Sequence, residues 1–404
     1  MTVFTLVERK VFYPSPGRGI MAGATSFYTR CNRPEKMCYL STSSRSDTTD
    51  SLSRRFSTDN GRTWSQPEQV PVVVRCREGF RRSYPHPGFL DPDRDLLLTM
   101  VMRGTLPTDD PLEGLRGWHL AYSLSEDGGR TYAFEEQVVQ DGSTAENPVE
   151  GVWVGRNAMM IGDMSCRPIK NHRGEILVPI QMCPLRDDGR IMNPAGGYTY
   201  HVSAVLRGRW TRGNRIAWEI SETVSIDPSL STRGVLEPTL AELPDGRVMI
   251  VMRGSNDVKP DLPGYKWISF SDDGGRTWSQ PAPWTYEDGS RFYSPSSCSQ
   301  LIRHSSGVYL WIGNICSRNP VGNWPRYPLV IGEVEPKGGH LVKGSVVVVD
   351  DRQPGEDEKM TLSNFMAHED RETGEILLHL TRLFARKHLD WEADAYLYRV
   401  AVQG

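Results

Sequence analysis

An all-β fold, a six-bladed β-propeller, is predicted by three observations in the 404-residue sequence. A turn octet recurs, a strand–turn–strand unit returns about every 70 residues, and both ends of the chain read as strands. The octet is clearest at Ser271-Asp272-Asp273-Gly274-Gly275-Arg276-Thr277-Trp278, which fits Ser-x-Asp-x-Gly-x-Thr-Trp. Each type has a job in a tight turn between strands. Ser271 and Asp273 can bind turn amides, Gly275 can take positive φ, and Trp278 can pack beneath as a plug. The pattern returns from Ser57 to Trp64 and from Ser125 to Tyr132, and a worn copy spans Ser203 to Trp210.

The stretch from Val235 to Pro281 shows the repeating unit. Glu237-Pro238 opens an apolar run that turns at Leu243-Pro244-Asp245-Gly246, and a second run ends in Arg253-Gly254. A third, Lys266 to Phe270, leads into the octet. Short β-rich runs separated by Gly, Asp and Pro turns read as an antiparallel meander. Its first turn can be tracked along the chain through Met37, Asp95, Gly174, Gly246, Gly307 and Gly374, at intervals of 58, 79, 72, 61 and 67 residues. Six such units fill the chain, so residues 1–404 are expected to form one domain. The runs Phe4 to Phe12 and Ala395 to Val402 can complete one sheet and remove an exposed edge. No helix of consequence is expected, and the Pro-rich pieces Pro107 to Pro111 and Asp257 to Pro263 read as loops.

Composition excludes several functional classes. With 38% hydrophobic and 24% charged residues, a net charge of −3 and a pI near 6.3, the chain is ordinary globular protein without the basic surface a nucleic-acid partner needs. Seven cysteines without paired spacing read as reduced core thiols, not a disulfide frame or a zinc site. No metal cluster and no phosphate-cradling loop is found, so no cofactor is expected. The N-terminal run lacks a basic-then-apolar leader, and no apolar run reaches membrane-spanning length. A cytoplasmic protein without a membrane partner is the expectation, with the oligomeric state left open.

In a propeller blade the innermost strand starts, and the second strand ends, at one face of the disc beside the central channel. Nine residues back from the turn marker lie Glu237 and His86, each followed by proline. Seven or eight forward lie Arg45, Arg103, Arg253 and Arg382, with Gln181 and Asn314 in the remaining blades. Asp163, Tyr293 and His368 are further acceptors and donors. A mouth carrying several arginines, a glutamate and a histidine suits an anionic, hydroxyl-rich partner, that is, a carbohydrate bearing negative charge. Glu237 and Arg253, sixteen residues apart across one turn, should reach the same mouth. An arginine there would lower the pKa of Glu237 and make it a proton acceptor.

The octets resemble the Asp-box (BNR) repeats of the sialidase superfamily, and the blade count and spacing extend that resemblance over essentially the whole chain. Glu237 followed by Arg253 around Glu-Leu-Pro-Asp-Gly-Arg is similar to the sialidase segment carrying the nucleophile's glutamate partner and a carboxylate-binding arginine. The resemblance places Arg18, in Gly17-Arg18-Gly19-Ile20, and Arg326, in Pro325-Arg326-Tyr327, as the other two arginines of that triad. It places the acid/base on the segment before the first octet, at Asp47 or Asp50. It also implies a tyrosine nucleophile near Leu362-Ser363-Asn364-Phe365, where this chain has none. The activity implied is an exo-glycoside hydrolase taking a terminal sialic or uronic acid. Two other classes fit the same mouth: a binding propeller without turnover, and a polysaccharide lyase or other glycosidase using His86 as base.

Overall fold

The computed structural model describes residues 2–403, and these form six antiparallel sheets arranged as the blades of a propeller. Blade 1 runs from the inside outward as Met21–Tyr28, Lys36–Ser43, Ser51–Ser57 and Glu68–Val70. Blade 4 repeats the plan with Leu236–Glu242, Val248–Arg253, Lys266–Ser271 and Ala282–Pro283, and blade 5 with Gln300–Arg303, Tyr309–Asn314, Leu329–Val334 and Val347–Asp350. In blades 2 and 3 the innermost strand is broken. Blade 2 has Gly79–Pro85 and Phe89–Asp91 inside Leu96–Leu106, His119–Ser125 and Glu135–Gln137; blade 3 has Met159–Met160 and Ile169–Lys170 inside Ile176–Met182, Val202–Trp210 and Ile216–Ile220. A single four-residue helix, Gly114–Gly117, interrupts the loops of the described residues.

Blade 6 closes the ring. Met366–Glu369, Ile376–Thr381 and Ala395–Gln403 come from the C-terminal end, and the outermost strand is Val3–Tyr13, paired antiparallel from Val3↔Gln403 to Tyr13↔Ala395. Phe4 is thereby buried in the cluster that also holds Tyr398 and Val400. The core divides into wedges between neighbouring blades. Tyr122 of blade 2 meets Trp218 of blade 3 with ring centroids 5.5 Å apart, and Trp284 meets Trp311 between blades 4 and 5 at 5.2 Å. All seven cysteines are free thiols.

Three octets form the turn expected of them. Ser57, Ser125 and Ser271 each end a third strand, and each hydroxyl accepts the amide of the octet's invariant glycine at 2.7–2.8 Å. Asp59, Asp127 and Asp273 in turn accept the threonine hydroxyls at 2.6–2.8 Å. Gly61, Gly129 and Gly275 sit at φ between +83° and +87°, where a side chain would be strained. The worn fourth copy is a correction: Ser203 is the second residue of the strand Val202–Trp210, not its end. Trp210 occupies the strand-end place that serine takes elsewhere, and a tight turn follows, closed by Thr211 N donating to Arg215 O at 2.8 Å. Matching first and last residue types had set the octet out of register with the strand.

Candidate functional site

Innermost strands that break at one face of the disc build the site. In blade 4 the register passes from Leu236↔Arg253 to Thr239↔Val251, so one extra residue bulges out at Glu237-Pro238. Glu237 takes φ +47°, a left-handed conformation that a buried glutamate adopts only when its surroundings demand it. In blade 3 the register jumps from Met160↔Gln181 to Ile169↔Leu177, and the intervening segment carries Asp163 and Arg167 to the same place. Gly162 makes the approach possible. A Cβ there would lie 2.8 Å from Glu237 Cγ and 2.9 Å from its Cα, so only glycine lets the two strands meet. His86 marks the equivalent break in blade 2, between Pro85↔Val101 and Phe89↔Leu98.

Glu237 is held on both sides. Its backbone N–H donates to Gln181 Oε1 at 2.8 Å, and Arg253 Nη1 donates to its Oε1 at 2.6 Å. Arg253 also reaches Ser296 Oγ at 2.8 Å and Asn323 Oδ1 at 3.1 Å. Burial alone would raise the glutamate's pKa, but Arg253, Arg326 and Lys266 outweigh it and hold the carboxyl below its ordinary value. Its Oε2 meets no hydrogen-bond partner among the described residues.

Asp163 is the opposite case. Burial, with the Glu237 charge beside it, pushes this carboxyl up to about 7, although Asn364 Nδ2 donates to its Oδ2. Its Oδ1 meets no hydrogen-bond partner among the described residues. Two neighbouring carboxyls driven apart in this way are one proton donor and one ionised acceptor at neutral pH. Asn364, at φ +60°, stands in the Leu362-Ser363-Asn364-Phe365 segment where the sequence lacks a tyrosine.

Cations crowd this pair. Arg326 gives Nε and Nη2 to Ser296 O at 3.2 and 2.9 Å, and Arg233 gives Nε and Nη2 to Thr199 Oγ1 at 3.2 and 2.6 Å; neither meets a carboxylate among the described residues. Burial and the charge of Arg253 lower both to about 10. Lys266, fully buried, donates to Ser297 O, and the same two causes lower it to about 7. Thr199 Oγ1, which accepts from Arg233, lies 3.3 Å from His201 Nδ1.

The remaining sequence-derived residues divide. Asp47 reaches the rim of this mouth: exposed on blade 1's loop, it accepts from Tyr198 Oη at 3.2 Å, and it adds to the field that Glu237 exerts on Arg253. Asp50 does not reach it, because its carboxylate closes its own loop by accepting from Ser44 N and Oγ at 2.7 Å. Arg45 pairs with Asp109 at 2.5 Å on the outer rim, and Arg103 pairs with Glu135 of the outermost strand of blade 2. Arg382 is consumed by Asp350 and by Glu356, the latter at 2.7 Å, between blades 5 and 6. Arg18 stays exposed in the loop before Met21, and Arg233 takes a place beside Arg253 and Arg326 instead. His86 points its Nε2 at Asp163 O, 3.1 Å away, and burial, helped by Arg167, pushes its pKa down to about 3. At that value the imidazole is neutral at pH 7.

Residues 89–357 match the family described as the BNR repeat-like domain. No curated protein matches the chain in sequence. Among solved structures, a protein of unknown function from Dyadobacter fermentans is 14% identical, with TM-score 0.61 over 99% of both chains. The NanB sialidase of Streptococcus pneumoniae is 11% identical, with TM-score 0.59 over 98% of this chain and 70% of that one. An α-L-arabinofuranosidase of Fusarium graminearum, solved with arabinobiose, is 13% identical, with TM-score 0.57 over 98% of both. At such identities the likeness speaks for the fold.

Proposed function

We propose, on the premise that the chain belongs to the BNR repeat-like domain family, that it is a glycoside hydrolase removing a terminal acidic sugar. Asp163, protonated near neutral pH, gives its proton to the glycosidic oxygen, and Glu237, ionised beside it, supplies the electron pair at the anomeric carbon. The bond from carbon to the leaving oxygen breaks as that oxygen takes the proton; a water then takes the sugar from Glu237, its proton passing to the ionised Asp163, so free sugar leaves and both carboxyls are restored. Asp163 thus stands in the role that the sequence offered to Asp47 or Asp50, and the absent tyrosine is no obstacle to a two-carboxyl reaction.

The observation that supports an acidic sugar is charge. Arg233, Arg253, Arg326 and Lys266 surround one ionised carboxylate, Glu237, and the pKa values of Arg233, Arg326 and Lys266 are depressed by burial and by Arg253. Buried cations in excess of their counter-ions are costly unless an anion joins them, and guanidiniums pair bidentately with carboxylates. Carbohydrate-processing neighbours with sialidase and arabinofuranosidase in their names support a sugar as the ligand. The test is a panel of aryl glycosides of sialic, glucuronic and galacturonic acids beside a neutral α-L-arabinofuranoside. Release from acidic members is expected. Turnover of the neutral furanoside alone would overturn the acidic-sugar part, and silence across the panel would overturn the hydrolase itself.

A further inference from the structure

On the face opposite the mouth only blades 1, 2 and 4 carry an octet turn. In blades 1, 2 and 4 the octet turn lies against the first turn of the preceding blade: Arg30 Nη1 reaches Glu126 O at 2.9 Å, and Arg173 Nη1 reaches Asp273 O at 2.7 Å. Blade 3 has no octet, only the short turn after Trp210. Where the missing turn would have covered blade 2, a cavity of about 600 Å³ is open, lined by Asp93, Arg94, Lys170, Arg173, Arg209 and Trp210.

Its charges are unevenly matched. Lys170 is neutralised by Asp91 and Asp93 at 2.8 and 2.7 Å, and Arg209 pairs with Glu219. Arg94 and Arg173 are exposed, and neither forms a salt bridge among the described residues. Arg94 stands over the indole of Trp210, 4.9 Å from the ring centroid, and bonds only Asn214 Oδ1 at 3.4 Å. Trp210 cannot drift, because its Nε1 donates to the buried Asp91 Oδ2 at 2.7 Å. A fixed aromatic ring beside two guanidiniums without counter-ions is the chemistry that receives a sugar carrying an oxyanion: Arg94 leaves the ring to join Arg173 on the carboxylate or sulfate, and the ring it uncovers takes the C–H face. The volume is of the order that holds a small oligosaccharide.

We infer that this cavity is a second ligand site, for a carboxylate- or sulfate-bearing sugar, formed where blade 3 lacks its octet turn. The inference does not depend on the reaction assigned to the mouth, which lies on the other face. Calorimetric titration of trigalacturonate into the Arg253→Ala chain, whose mouth is weakened, tests it. Binding should persist, should fall at least tenfold when Arg94→Ala and Arg173→Ala are added, and should weaken with added salt. Turnover of aryl glycosides by the otherwise unaltered chain should be unchanged by those two substitutions. No binding by the Arg253→Ala chain, or binding indifferent to Arg94 and Arg173, would overturn the inference. Inorganic sulfate that displaces the trisaccharide at equal concentration would overturn its sugar part.

Discussion

Asn364, entering from blade 6, donates its side-chain N–H to Asp163 of blade 3, so two segments 201 residues apart meet at the carboxyl that carries the proton. A hydrogen bond of this sense favours the ionised carboxyl and restrains the rise that burial imposes. Asn364→Gly removes the donor while accepting φ +60° without strain. The alkaline limb of the kcat/KM profile should then move up by roughly 0.5–1 pH unit. An unmoved limb would separate Asp163 from the titration.

For the unaltered chain the profile should be a bell. Activity falls as pH rises through about 7, where Asp163 loses its proton, and falls on the acid side below the ordinary carboxylate range, where Glu237 gains one. These limbs belong to the pair, since each charge acts on the other. Asp163→Asn should lower kcat by about 10²–10⁴-fold on sugars with poor leaving groups. Stability should move the other way. A carboxyl whose folded pKa is raised contributes stability below its unfolded value and loses it as pH rises through the folded one, so at pH 8 the buried Asp163 is an ionised burden. Asp163→Asn should raise Tm at pH 8 and not at pH 4, as thermal unfolding at the two pH values would show.

Glu237→Gln keeps the size of the side chain and removes its charge. We expect kcat to fall by about 10³-fold or more while an acidic competitor still binds, because the arginines remain. Arg253→Ala should raise KM and also move the acid limb upward, since it removes the strongest of the charges that hold Glu237 ionised. A mutant of Glu237 with full activity and an intact fold would end the assignment.

Two arginines test the difference between a ligand site and a strut. Arg382→Ala leaves Glu356 without its ion-pair partner and Asp350 with only Arg9, 3.3 Å away, and Tyr398, and should cost about 3 kcal/mol of stability. Arg326→Ala leaves only Ser296 O unmet and should weaken binding of acidic ligands with little change in Tm. Circular dichroism melts and competitive inhibition measured on both variants separate the two outcomes.

Asp47→Asn offers a check on the proton donor. Its carboxylate is exposed at the rim and bonded to Tyr198 Oη, so its loss should change kcat/KM by no more than about threefold. A loss comparable to that of Asp163→Asn would return the acid role to Asp47.

What could be read in the sequence was what short-range chemistry determines. Three octets are local turns, and they set the blade period without help from distant residues. Glu237 and Arg253 are joined by one tight turn, so counting along two strands brought them together, as the register Leu236↔Arg253 shows. Asp163 defeats the same counting. Nine residues back from Gly174 falls on Ser165, because the innermost strand of blade 3 is interrupted by a segment whose length no turn residue announces. The readable sign was Gly162, a glycine beside an acidic residue between two apolar pieces, required by the close approach of Glu237. Arg382 and Arg103 were placed by strand position, but their carboxylate partners come from loops and outer strands that counting along one blade does not see. The octet in blade 3 was misplaced for a related reason: residue types matched while the strand register did not.

Pairing Val3–Tyr13 with Ala395–Gln403 ties a strand made before blade 1 to one made after blade 5. At ribosomal speeds the two strands are made about 20–80 s apart. Throughout that interval the first strand, with Val3, Leu6, Val7 and Val11 on display even in the finished ring, has no sheet to join. Blades 1 to 5 can assemble in order of synthesis, but the sixth waits for Ala395–Gln403, so the ring closes only after the other five blades have been made.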